Sequence, residues 1–165
     1  METVYIETTI VSYLVARPSR DLILAAHQQL TRDWWGEQRL EYRCVTSEEV
    51  LQEAARGEPQ MSQQRLTALT GLIALRVDEP LRALARGIIK ESLLPPAATS
   101  DAIHAAAASF HGMDYLLTWN CRHLANAQIL KRLERESQRA GRTLPHVCTP
   151  LELMGDLPYE NESAS

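Results

Sequence analysis

The stretch Ser100–Thr118, SDAIHAAAASFHGMDYLLT, decides the fold. Ser100 reads as an N-cap, and Asp101 to Phe110 as a very apolar helix that ends near Gly112. Tyr115 to Thr118 then reads as a strand, continuously apolar as the central strands of a parallel sheet are. A helix leading into a buried strand is the joint of an alternating α/β chain.

The alternation recurs on both sides. Upstream, Thr3 to Ile6 is β-prone, and Thr8 or Thr9 is placed to cap a helix carrying Ile10, Val11, Tyr13 and Leu14. After Pro18 and Ser19, a second helix is expected from about Arg20 to Gly36. Tyr42 to Thr46 predicts a second strand, and Ser47 a cap for a helix closed by Gly57, with Glu48 and Glu49 as solvated first-turn acids. Pro59 to Thr70 predicts a further helix, Ile73 to Val77 a third strand, and Pro80 opens a helix that Pro95 and Pro96 end. Downstream, a helix is expected to about Ala140, a last strand over Val147 to Thr149, and a turn of helix opened by Pro150. The expected class is α/β: a three-layer α/β/α sandwich with a central parallel sheet of four or five strands. One domain is expected over 1–156, with a disordered polar tail over 157–165.

With 165 residues, 45% hydrophobic and 23% charged, the chain has the make-up of one globular domain. Met1 to Glu7 lacks the basic-then-apolar pattern of a signal peptide, and no apolar run approaches the ~20 residues of a membrane span. Cys44, Cys121 and Cys148 fit neither a zinc pattern nor a disulfide framework, so reduced, packed thiols and a cytoplasmic location are expected. The net charge of −4 does not by itself advertise nucleic-acid binding.

Ligand sites of open α/β sheets lie beyond the C-terminal ends of the strands. Glu7 follows the first strand, Glu53 lies on the helix after the second, Asp101 opens the alanine-rich helix, and Asn120 follows the fourth strand. Converging there, these oxygens suit a hard cation such as Mg²⁺ or Mn²⁺. Hydrolysis of a phosphodiester is the matching chemistry, because a metal offsets the charge that repels nucleophiles from phosphate. Taken one at a time, each acid is more often a loop residue or helix cap, so the reading rests on their joint placement. His104, three residues after Asp101, reads as a packed core residue; Trp119 and His123 read as packing and capping residues, with contact to RNA as the alternative.

Several segments together resemble a known family. YIETTIVSYL (Tyr5–Leu14) resembles the opening of PIN domains, and SEEVLQEAARG (Ser47–Gly57) their second motif, whose Glu would be Glu53. DAIHAAA (Asp101–Ala107) is similar to the third motif, DYLLTWN (Asp114–Asn120) to the fourth, and CTPLEL (Cys148–Leu153) to the closing segment. The resemblance covers residues 3 to about 155. It implies a Mg²⁺- or Mn²⁺-dependent endoribonuclease with Glu7, Asp101 and Asn120 on the metal and Glu53 completing the site. It also implies a VapC-type toxin that forms a homodimer and is silenced by a cognate antitoxin. Glu7 and Asn120 stand where the family usually has Asp, and a neutral amide should weaken metal affinity. A degenerate, non-cleaving RNA- or protein-binding module is therefore the alternative, and a DNA-directed nuclease a third. A dehydrogenase is disfavoured, since no Gly-rich phosphate turn follows the first strand.

RNA needs a basic surface. At about 100° per residue, Lys131, Arg132, Arg135 and Arg139 fall on one side of their helix, apart from Ile129, Leu130, Leu133 and Ala140. A solvated face is the default reading of this stripe; an RNA-steering surface, or a dock for an acidic antitoxin segment, is the sharper one.

Overall fold

The computed structural model describes residues 1–92 and 94–155; the tail expected over 157–165 lies outside the described residues. Five strands, β1 (Thr3–Ile6), β2 (Arg43–Ser47), β3 (Ile73–Leu75), β4 (Tyr115–Leu117) and β5 (His146–Cys148), form one parallel sheet in the order β3-β2-β1-β4-β5. Seven helices cover it: α1 (Thr8–Val15), α2 (Leu22–Asp33), α3 (Glu48–Ala54), α4 (Pro59–Leu69), α5 (Glu79–Ser92), α6 (Thr99–Phe110) and α7 (Ala127–Arg139). Helices α1 to α4 pack among themselves, as do α5, α6 and α7, which gives the α/β/α sandwich.

The chain runs from β1 to β2 on one side and from β4 to β5 on the other. The strand order therefore reverses between β1 and β4, and it is beyond the C-terminal ends of such strands that open α/β sheets place their ligand sites. Val4, Tyr5, Ile6, Leu116 and Leu117 are fully buried there. Helix α6 contacts α3, α5, α7 and β4. It is enclosed on every side, which explains why Ala102 and Ala105 to Ala108 are all buried: small side chains let it sit close to its neighbours. Gly112, at φ 65°, ends it in the left-handed conformation, with the Met113 N–H donating to the Ala108 carbonyl at 2.9 Å.

Several expected boundaries move for local reasons. The cap of α1 is Glu7, not Thr8 or Thr9, because its carboxylate accepts the Thr9 N–H. Helix α6 begins at Thr99, so Ser100 lies inside it, and its hydroxyl bonds the Glu49 carboxylate at 2.5 Å instead of capping. Strand β3 stops at Leu75 rather than Val77; the Val77 N–H donates to Glu48 at 2.9 Å. Glu49 is buried, not solvated. Helix α2 passes at Trp34 into a wider π-turn (Trp34–Gln38). Of the three free thiols, Cys148 is buried and Cys44 half-buried, but Cys121 is exposed rather than packed. Ala140, too, is exposed. Among the described residues no helix is long and apolar enough to cross a membrane.

Candidate metal centre

Glu7 leaves β1 in extended conformation (φ −81°, ψ 158°), which turns its carboxylate back over the first turn of α1. Its Oε2 accepts the Thr9 N–H at 3.0 Å, the Thr118 hydroxyl at 2.8 Å, and the Thr9 hydroxyl. The two threonine hydroxyls also accept N–H groups from the loop after β4, Thr9 from Trp119 at 2.8 Å and Thr118 from Asn120 at 2.9 Å. The ends of β1 and β4 are thereby joined around one carboxylate oxygen. The other oxygen, Oε1, makes no hydrogen bond among the described residues; it lies 3.8 Å from His104 Nε2. Glu7 is 3% exposed.

Glu53 comes to the same place from α3. Ser47 caps that helix by accepting the Val50 N–H, so Glu53 falls on its second turn facing α1 and α6. Its Oε1 accepts the Thr8 hydroxyl at 2.7 Å and meets His104 Nε2 at 2.6 Å. His104, fully buried on α6, has its second nitrogen at 2.7 Å from the Tyr5 hydroxyl, which lies 2.7 Å from Ser47 Oγ. The imidazole is thus fixed at both nitrogens, between two acids on one side and a neutral relay on the other.

The charges respond to these positions. Burial pushes the Glu7 carboxyl above its ordinary value, and the nearby imidazole and threonine donors do not offset it. Burial also acts to raise Glu53, but the hydrogen bond and charge of His104, with Thr8, hold it below the ordinary value. The contrast follows from burial and distance: Glu7 is buried and Glu53 only partly so, and His104 touches Glu53 but only approaches Glu7. Burial disfavours the imidazolium of His104, yet the Glu53 bond and the charges of Glu7, Glu53 and Asp101 raise its pKa above 6.5. Burial keeps Tyr5 a neutral phenol, well above 10.

Asp101 stands one turn before His104 on α6. Its Oδ1 accepts the Asn120 amide at 2.9 Å and its Oδ2 meets His123 Nδ1 at 2.8 Å. The Asn120 carbonyl oxygen accepts the N–H groups of Arg122 at 3.2 Å and His123 at 3.0 Å, the turn-making habit of that side chain. Asn120 therefore meets Asp101 as a donor rather than beside it as an oxygen ligand. Trp119 is packed: it is 8% exposed, stacks on His27 at 4.0 Å, and donates to the Thr31 hydroxyl at 2.7 Å.

Of the expected residues, the fold brings Glu7 and Glu53 to one imidazole, and Asp101 and Asn120 into contact beside it. One ligand atom each from Glu7, Glu53 and His104 lie within 4.8 Å of one another, and this group could hold a metal ion. The sequence reading left His104 in the core; its spacing from Asp101 was the signal that could have placed it in the site. Arg132, Arg135 and Arg139 are exposed on α7, with Arg139 paired to Glu136 at 2.8 Å and close to Glu91 at 3.9 Å.

No protein-family model matches the chain, and no curated protein matches it.

Proposed function

We propose that the chain is a metal-dependent endoribonuclease of the PIN-domain type. The observation that carries the reading is the meeting of Glu7 and Glu53 at His104, with Asp101 one turn away, where the strand order reverses. Two buried or half-buried carboxylates at such a crevice are costly unless a positive group serves them. The donor chemistry fits a divalent ion, Mg²⁺ or Mn²⁺ in this proposal, with Glu7 and Glu53 as holders and Asp101 at its margin. A bound ion there supplies positive charge to a scissile phosphate and acidity to a water. Thr9 and Thr118 fix the Glu7 carboxylate, Thr8 fixes Glu53, and Asn120 orients Asp101. The His123 ring lies against Asp101 at the rim, where it could meet RNA.

The resemblance extends the proposal to a VapC-type toxin, dimeric and held silent by an antitoxin. Single-stranded RNA incubated with the pure chain and Mg²⁺ or Mn²⁺ is expected to be cut, with chelator stopping the reaction. Asp101→Asn should abolish cleavage while leaving the melting curve cooperative, and should relieve any growth arrest on expression. Equal cleavage by wild type and variant refutes the reading; cleavage of DNA alone makes the chain a deoxyribonuclease. A second reading, a binding module without cleavage, is favoured by the Asn120 amide, which puts a donor against Asp101 where the family has an acid. Metal-linked stabilisation without cleavage selects it.

A further inference from the structure

We infer that His104 Nε2 is a ligand of the site's ion, and that the site therefore selects a borderline transition ion of the Mn²⁺ to Zn²⁺ class over Mg²⁺. The inference rests on the reading above only in so far as this cluster binds a divalent cation. The donor set is mixed: two carboxylates and one imidazole within 4.8 Å. Carboxylates alone serve Mg²⁺ well, whereas an imidazole nitrogen adds affinity for Mn²⁺ and more for the later ions of the series.

Two independent features point to a ligand. Glu7 is nearly fully buried, its Oε2 is saturated by three donors, and its Oε1 faces the cluster without a hydrogen bond among the described residues. This leaves Oε1 available to an incoming ion. On the other side, His104 Nδ1 is engaged by the Tyr5 hydroxyl, itself bonded to Ser47. Metal-bound histidines typically donate the far N–H to an outer partner, and the Tyr5 hydroxyl can take that role by turning its own proton to Ser47 Oγ, which leaves Nε2 to exchange its bond to Glu53 for an ion. Nε2 is the atom so presented, 2.6 Å from Glu53 Oε1 and 3.8 Å from Glu7 Oε1.

Calorimetric titration of the metal-free chain with Mg²⁺ and with Mn²⁺, in wild type and His104→Gln, tests this. Gln reaches to the position of Nε2 and offers an amide oxygen in place of nitrogen. The wild type should bind Mn²⁺ more tightly than Mg²⁺, and the variant should lose about tenfold or more of its Mn²⁺ affinity, with Mg²⁺ little changed. Since His104 is buried, the variant's melt is recorded first. In case it does not fold, Co²⁺ added to wild type labelled at its five histidines with ¹⁵N gives a second readout. One buried imidazole N–H should then show a large paramagnetic shift. Equal Mg²⁺ and Mn²⁺ affinities in wild type, unchanged Mn²⁺ binding in the variant, or no shifted buried imidazole each overturns the inference. RNA cleavage is assayed in the same samples. Ion selectivity without cleavage removes the nuclease reading alone, and cleavage with no selectivity removes the role of His104 alone.

Discussion

At the start of β4, Asp114 accepts the Thr3 N–H at 2.7 Å and the Thr3 hydroxyl at 2.9 Å, in open solvent. At the opposite end of β1, Glu7 accepts three hydrogen bonds on one oxygen and, among the described residues, none on the other, at 3% exposure. Both acids pin β1 to β4, yet their electrostatics run in opposite directions. The Thr3 donors lower the Asp114 pKa, whereas burial raises that of Glu7. An acid in water, served by nearby donors, is a clip between strands. A buried acid whose pKa is raised by desolvation strains the fold's electrostatics, and such groups concentrate at functional sites.

The sharpest way to break this contrast is to neutralise both acids. Glu7→Gln should reduce metal-dependent RNA cleavage about a hundredfold or more, since several kcal/mol of charge stabilisation depend on the bound ion. Asp114→Asn should leave the cleavage rate unchanged and lower thermal stability slightly. Equal losses in initial-rate assays would erase the distinction between the two ends.

Ion binding offers the next largest effect. At an ion concentration a hundred times its dissociation constant, the native state should gain about 2.7 kcal/mol. For a domain of this size that raises the melting temperature by roughly 5–10 °C. Scanning calorimetry with Mn²⁺ should show the shift in wild type and Asp114→Asn, and not in Glu7→Gln. A wild type whose melt ignores Mn²⁺ would mean that the buried end is merely a polar core.

The sequence made one end of this comparison plain and obscured the other. Placing Asp114 at the far end of β4 needed only strand direction, and an acid immediately after β1 had to emerge at the opposite edge. Ser47 before Glu48 and Glu49 marked α3 by local capping chemistry, and Glu53 followed on its second turn. His104 was harder, because an alanine-rich helix buries every face and periodicity cannot separate a packed imidazole from a liganding one. Its spacing from Asp101 hints at the site, but the contact that orients the ring comes from the Tyr5 hydroxyl, on a strand 99 positions away. Asn120 misled for a related reason: its type offers an oxygen, but the turn that follows consumes that oxygen. Glu49 was read as solvated because first-turn acids usually are, but it is buried and accepts the Ser100 hydroxyl from α6.

Acidity gives a subtler test of the same contrast, in the metal-free chain with chelator present. His104 is raised above 6.5, so its stabilising contribution is full below that value and is lost as pH climbs through the folded-state value. Glu7 is raised above 4.5, and its contribution likewise fades as pH rises. Glu53 is lowered, so its contribution is present above 4.5 and lost as pH falls through its depressed value. The metal-free protein should therefore be more stable just below 6.5 than in alkali, as read by urea midpoints. His104→Gln should flatten the alkaline loss, and Asp114→Asn should not. A wild type that grows more stable as pH rises beyond 6.5 would contradict the assignment of His104 as the cation between the two acids.

The arginines of α7 should give the smallest effect, and the comparison says why. They are exposed like Asp114, so salt screens them. Arg139 is further offset by Glu136 and Glu91. If the stripe steers single-stranded RNA, each phosphate contact contributes about 0.7 to the slope of log affinity against log salt. Replacing Arg132, Arg135 and Arg139 by Gln should then flatten the slope by about 2 at most, with Arg139 supplying the least. The rate at saturating RNA should hold, because no charge on α7 belongs to the Glu7–Glu53–His104 cluster. Binding that is unchanged at low salt would leave the stripe a solvated face. A fall in the saturated rate would instead mean that α7 reaches the reacting phosphate, and the division between the buried Glu7 end and the wet outer charges would have to be redrawn.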